Sequence, residues 1–251
     1  MTRVSIVIPM KNEAENIGPL VREIAEVCAP LGAFEIIVVD DGSTDGTAEE
    51  GHALRAEIPE LRVLRHERSG GQSAAVHSGV IAARAPVICT LDGDGQNPPS
   101  ELPKLYTPFL EDADWLGLVA GQRVGRQDTL SKRLGSRFAN ALRAWALKDG
   151  TRDTGCGLKG FRRDAFLALP YFNHMHRYLP ALFKRDGWQI KLVDVSHKER
   201  MAGRSNYSNI QRALVGAYDL IGVAWLIRRR KTVRPIAPGE ERPQGLEERA
   251  P

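Results

Sequence analysis

The chain has 251 residues, enough for one large domain, or one domain with an added tail, around a single buried core. Hydrophobic residues make up 42% and charged residues 26%, which excludes a disordered or fibrous body. The formal charge is +4, and Arg228-Arg229-Arg230-Lys231 with Arg234 concentrates five positive charges in seven residues. Such a run reads as a solvated helix end, a nucleic-acid patch or a membrane-surface patch, and its neighbours must decide. Three cysteines, Cys28, Cys89 and Cys156, stand at unrelated spacings, so neither a disulfide framework nor a paired-cysteine metal site is supported. Met1-Thr2-Arg3 leads straight into a strand-like segment without an apolar leader, and a cytoplasmic protein is expected.

Val4–Ile8 is a β-branched run ended by Pro9, and Ile17, Leu20, Val21, Ile24 and Val27 then repeat at helical spacing. Glu35 to Val39 predicts a second strand buried on both faces, followed by the turn and helix-start cluster Gly42-Ser43-Thr44-Asp45. A short strand is expected at Arg62–Leu64, a helix opened by Ser69-Gly70-Gly71-Gln72, and strands at Val87–Leu91 and Trp115–Ala120. Strand–helix alternation predicts a doubly wound α/β sheet with sites at the strand C-termini. Further on, the pattern predicts a long basic helix at Leu130–Leu147, a glycine-rich loop and short strand at Asp153–Phe161, and a strand at Gln189–Val195. A polar loop at Ser196–Ser208, an apolar helix at Ile210–Ile227 and a disordered tail from Pro235 complete the chain.

Asp40-Asp41 and Asp92-Gly93-Asp94 each follow an apolar strand. In an extended segment residues i and i+2 point the same way, so Asp92 and Asp94 would aim at one point while Gly93 admits a phosphate or metal to the backbone. Hard oxygen ligands suit Mg²⁺ or Mn²⁺, and Gln96 could add a third oxygen. Asp and Gly also make good turns, and one such motif alone is explained by turn chemistry; two acidic strand ends in one sheet point to function. There is no GxGxxG after the first strand and no GxxxxGK[ST], so dinucleotide and P-loop readings lose their support. Ser5 and Cys89 lie within predicted strands and read as core. His174 and His176 read as ordinary hydrogen-bonding histidines, having no further ligands beside them.

Val4-Ser5-Ile6-Val7-Ile8-Pro9, Asn12-Glu13, Val38-Val39-Asp40-Asp41-Gly42-Ser43-Thr44-Asp45 and Leu91 to Pro99 resemble family 2 glycosyltransferases of the GT-A fold. Within that family the chain is most similar to the polyprenyl-phosphate branch typified by dolichol-phosphate mannosyltransferase, over about residues 3–210. The resemblance implies that Pro9, Glu13, Asp40 and Asp41 surround the nucleotide base and ribose. Asp92, Asp94 and Gln96 would hold the metal and diphosphate. Gln122-Arg123 matches a serine-arginine pair, with Arg123 facing phosphate, and Lys132 and Ser136 fall where an acceptor phosphate is bound. Lys for Arg keeps the charge there but loses the bidentate fork. Arg200 to Tyr207 resembles a late loop that closes on the donor and brings Arg200 and Ser205, with Asn206 in place of the common Lys.

The resemblance also implies inversion by one in-line displacement, in which the metal and Arg200 neutralise the departing nucleoside diphosphate. A polyprenyl phosphate acceptor is already anionic and needs only cationic positioning groups. A saccharide acceptor in envelope polysaccharide or lipopolysaccharide synthesis would need a carboxylate base, and Asp153 is the candidate. A non-enzymatic lipid- or nucleic-acid-binding module is disfavoured by the set of acidic strand ends, so no nucleic-acid partner is expected. Ala213–Ile227, apolar apart from Tyr218 and Asp219 and followed by the basic run, is shorter than a bilayer span. It is expected to lie at the membrane surface with Trp225 at the headgroups, the alternative being a core helix. The expected organisation is a GT-A domain at 1–210, a membrane-surface amphipathic helix with a basic end at 211–234 and a tail at 235–251, peripheral to the inner membrane.

Overall fold

The structure is a computed structural model describing residues 2–111, 115–124, 143, 147, 149–197 and 209–230, with 209–214 given by backbone alone. Among the described residues seven strands form one sheet: β1 (Val4–Met10), β2 (Phe34–Asp40), β3 (Leu61–Arg65), β4 (Val87–Thr90), β5 (Leu116–Arg123), β6 (Lys159–Arg162) and β7 (Gln189–Val195). Their order is β3-β2-β1-β4-β6-β5-β7. All neighbours pair in parallel except β6, which runs antiparallel to both β4 and β5. The expected mixed, doubly wound α/β sheet is therefore present.

The core has two layers, one on each face of the sheet. Ile6, Ile8, Ile36 and Val38 turn towards α1 (Ala14–Cys28), whose Ile17, Val21 and Ile24 are fully buried, and towards α4 (Leu102–Leu110). The alternate residues Val7, Ile37 and Val39 face α3 (Gln72–Ala82), and that layer continues through Phe161, Phe166 and Phe183. Period-two alternation with both faces apolar is why β1 and β2 read as continuous hydrophobic runs.

Smaller elements complete the frame: α2 (Thr47–Leu54), α5 (Arg163–Leu167) and α6 (Leu179–Arg185). Pro9 is tolerated in central β1 because β4 ends at Thr90, opposite Val7. Beyond that point β1 has one neighbour only, and an N–H is not required on the other side.

The last helix, α7 (Asn209–Arg228), is held to the domain by one side. Val223 is buried and Leu220 and Ile227 pack against the second layer. Asp219 Oδ2 lies 2.9 Å from His174 Nδ1, Tyr178 Oη donates to the Gly216 carbonyl, and Arg185 Nε donates to the Leu226 carbonyl. The opposite side is bare: Val215, Tyr218, Ile221 and Trp225 are exposed, at a three-three-four spacing that forms one stripe. The packed side is what the core-helix alternative expected. Among the described residues no helix is long and apolar enough to cross a membrane.

Candidate active site

β1, β2 and β4 deliver their C-terminal ends to one edge of the sheet, where Pro9, Asp40-Asp41 and Asp92 come together. Sequence reasoning expected Asp92 and Asp94 on an extended segment. Instead β4 stops at Thr90, and Gly93-Asp94 form a turn with Gly95 in the left-handed region at φ 72°. The carboxylates remain close. Burial pushes Asp92 above the usual carboxylate range, the Asp94 charge adds to this, and Lys159, Asn97 and Arg123 only partly oppose it.

Asp92 is fixed from both sides. Its Oδ1 accepts from Gln72 Nε2 at 2.7 Å and its Oδ2 from Asn97 Nδ2 at 3.1 Å. A Cβ at Gly157 would stand 2.4 Å from the Asp92 Cγ, and one at Gly93 would stand 2.6 Å from Met10 Cγ. Both glycines are therefore required by close approach around the turn. Asp94 Oδ1 accepts the Gln96 backbone N–H at 3.2 Å, which places Gln96 beside the two carboxylates.

The donor set fits a hard divalent cation: two crowded carboxylates and an amide oxygen, with a repulsion that a cation would relieve. No cluster of three or more His, Cys, Asp or Glu able to hold a metal exists among the described residues. Substrate oxygens and water would have to complete the shell, as a magnesium-type ion prefers.

Asp40 and Asp41 are used inwardly. Asp40 is fully buried, takes the Ser43 N–H at 2.9 Å and faces Arg65 Nε at 3.4 Å. Asp41 receives four donors: Gly70 N–H and His66 Nδ1 on Oδ1, Ser69 Oγ and Gly71 N–H on Oδ2, all within 2.8 Å. Burial works to raise its pKa, but these hydrogen bonds outweigh it and leave Asp41 below the usual range. Its acceptor capacity is spent on shaping the 66–71 loop. Asn12, at φ 55°, and Ser43 stitch the first loop to the second, and Glu13 N–H bonds Thr47 Oγ1. Glu13 and Pro9 thereby border the same edge.

His66 Nε2 also meets Ser78 Oγ at 2.9 Å, completing an Asp41–His66–Ser78 chain with the connectivity of a hydrolytic triad. Ser78 lies in the middle of α3, where the neighbouring N–H groups are bonded within the helix. Nothing there can serve as an oxyanion hole, so the chain is a strut.

At the end of β5, Gln122 clamps the 152–153 loop through both ends of its amide. Arg123 forks onto Asp153, with Nε to Oδ2 at 2.5 Å and Nη2 to Oδ1 at 2.9 Å. Burial would raise the Asp153 pKa, but the Arg123 hydrogen bonds and charge prevail and hold it low. A carboxylate so held is a poor proton acceptor. Two expected roles thus meet in one ion pair.

The pocket at this edge is lined by Pro9, Asp92, Lys159, His176 and the 155–157 loop, roofed by the start of α3. Lys159 is buried and donates to the Cys156 carbonyl. Burial lowers its pKa, against the charges of Cys156, Asp92 and Asp153. Sequence reasoning did not single out Gln72, Lys159 or His176 for the site; Lys159, directly after the glycine-rich stretch, was the available signal. His174 and His176 turn to different partners, Asp219 and Ser73, as their reading as hydrogen-bonding residues expected. Lys132, Ser136, Arg200 and Ser205, with most of the 130–147 helix, the 198–208 loop and the tail, lie outside the described residues.

A mixed seven-stranded sheet with acidic turns at its C-terminal edge is the GT-A glycosyltransferase fold, and solved structures bear this out. Mannosyl-3-phosphoglycerate synthase from Rubrobacter xylanophilus superposes with a TM-score of 0.67 at 18% identity, covering 94% of this chain and 79% of that one. Glucosyl-3-phosphoglycerate synthase from Mycobacterium tuberculosis, in complex with Mn²⁺, UDP and glucosyl-3-phosphoglycerate, gives 0.62 at 20% identity, covering 90% and 80%. The chain belongs to glycosyl transferase family 2, whose family model matches residues 5–169. It is 35% identical over 222 residues to an undecaprenyl-phosphate 4-deoxy-4-formamido-L-arabinose transferase of Yersinia pestis, and 34% identical to that of Sodalis glossinidius. The alignments cover 87% of this chain, but the chain spans only 66% and 67% of the length of those two relatives.

Proposed function

We propose that the chain transfers a sugar, with inversion, from a GDP- or UDP-linked donor to a polyprenyl phosphate of the undecaprenyl type. One observation carries the choice of acceptor: Asp153, the candidate base, is locked onto Arg123 and held acidic. A sugar hydroxyl would need that base, whereas a phosphate monoester, with a second pKa of ~6, is mostly dianionic at neutral pH. The names of the sequence relatives support the same acceptor.

In this reading Pro9, Glu13 and the loops shaped by Asp40 and Asp41 frame the nucleotide. Asp92, Asp94 and Gln96 would hold Mg²⁺ or Mn²⁺, which when bound offsets charge on the departing diphosphate. Gln72 and Asn97 keep the Asp92 oxygens oriented. The Arg123–Asp153 pair sets the far wall, and Lys132 and Ser136 would receive the acceptor phosphate while Arg200 and Ser205 close over the donor. The bare stripe of α7 with Arg228, Arg229 and Arg230 would rest on an anionic lipid surface, where the acceptor resides.

Asp153→Asn separates the two acceptor classes. Transfer to undecaprenyl phosphate is expected to fall by no more than about tenfold, below the roughly 100- to 10,000-fold loss that removing a general base brings. A loss of several thousandfold with unchanged melting would instead identify Asp153 as the base and defeat the lipid-phosphate reading.

A further inference from the structure

Two adjacent residues at the start of α3 each hold a residue that lines the same pocket. Gln72 reaches Asp92, and Ser73 reaches His176, which sits on a short turn (Met175–Arg177) 103 residues later in the chain. Ser73 is buried; its Oγ accepts the His176 backbone N–H at 3.3 Å and lies 2.8 Å from the ring Nδ1. Oγ could accept a second hydrogen bond, but among the described residues Nδ1 is the one acceptor its own proton meets, so a buried Oγ–H is satisfied only by donating there, which places the ring proton on Nε2. Burial foremost, then the charges of Lys159, Arg177 and His174, hold this imidazole well below its usual range, so it is neutral at pH 7. His176 lines the pocket together with Asp92, Lys159 and the apolar Val76, Leu91 and Leu179. Among the described residues none hydrogen-bonds Nε2.

We infer that His176 Nε2–H donates a hydrogen bond to a neutral oxygen, a hydroxyl or an acylamino carbonyl, on the sugar ring of the bound donor. This makes His176 a specificity-determining residue. The inference rests on the reading of Asp92 and Asp94 as the nucleotide-sugar site. A diphosphate beside that site would be met by Lys159 and a divalent cation. A neutral, directional donor against apolar walls is matched instead to a neutral acceptor, and it discriminates against sugars lacking one there. Ser73 acts as a positioning residue, because its hydroxyl selects the ring tautomer.

The test is equilibrium titration of the full chain, with Mn²⁺ present, by UDP and GDP and by a panel of their sugar conjugates. His176→Phe should leave nucleoside-diphosphate affinity within about twofold and weaken the preferred nucleotide sugar about tenfold, the effect of one lost hydrogen bond. His176→Gln, which keeps an N–H, should recover part of that loss. An unchanged ratio of nucleotide-sugar to nucleoside-diphosphate affinity in His176→Phe overturns the inference alone. A wild-type chain that binds no nucleotide sugar overturns the site reading as well. Should His176→Phe fail to fold, ¹⁵N shifts of the wild-type imidazole decide: a proton on Nε2 supports the assignment and a proton on Nδ1 contradicts it.

Discussion

Gly157 and Asp92 share one small space, and the sharing is a direct handle on activity. The Gly157 carbonyl is pinned by Thr90 Oγ1 at 2.8 Å, so the loop cannot retreat easily from an added methyl. Gly157→Ala should push the Asp92 carboxylate aside and lower kcat/KM about 100-fold, as an ångström-scale misplacement does. Nucleotide-sugar turnover measured alongside a thermal melt checks this; full activity would show that the close approach is dispensable. Asp41 is a stability residue by the same reasoning. Asp41→Asn turns an acceptor of four hydrogen bonds into a partial donor facing donors, and should destabilise the fold by about 2 kcal/mol in chemical denaturation. The pKa values of Glu35, Asp41 and Asp153 are all depressed in the folded state. Their stabilisation is complete above the unfolded value of ~4 and is lost as pH falls through the lower folded values. Stability should therefore drop below pH ~4, less steeply in Asp41→Asn, as denaturant midpoints across pH would report. Asp92, Asp94, Asp40 and Asp41 were legible because acidic residues at strand ends stand out in one dimension. Gln72 was not, because its partner lies 20 residues away, and Arg123–Asp153 was not, because the pair closes across 30.

At the scale of elements, β1, β2 and β7 were legible from unbroken or bounded apolar runs. The short strand expected at the end of Asp153–Phe161 is β6, whereas the short α4, α5 and α6 were missed. α4 and α6 each carry proline at the first turn and span nine and seven residues, too few turns for a periodic pattern to emerge. The last helix was legible as a helix but not as a divided one, since apolar residues on both faces blur a stripe. Which face packs is decided by Tyr178, His174 and Arg185, from elements far away in sequence. Replacing Tyr218, Ile221 and Trp225 together by Ser should weaken cosedimentation with anionic phosphatidylglycerol vesicles at least several-fold. The melting temperature should change little, because these side chains touch no core. Undiminished vesicle binding would remove the bare stripe as the lipid-facing surface.

For the whole molecule, the sheet order brings the parallel strand ends to one edge, and the turn carrying His174 and His176 links that edge to α7. His176 lines the pocket while His174, two residues earlier, bonds Asp219 of the helix. The pocket wall and the bare apolar stripe are thus joined through a single short turn, the arrangement that the proposed acceptor would use if its phosphate entered the pocket while its chain stayed in lipid. The most direct measurement is transfer of labelled sugar from a panel of nucleotide sugars to undecaprenyl phosphate, by wild-type protein and Asp94→Ala, with and without EDTA. The account predicts a lipid-linked product from at least one donor, lost with chelator and in Asp94→Ala. Product formed equally well in EDTA, or no lipid-linked product from any donor, would contradict it.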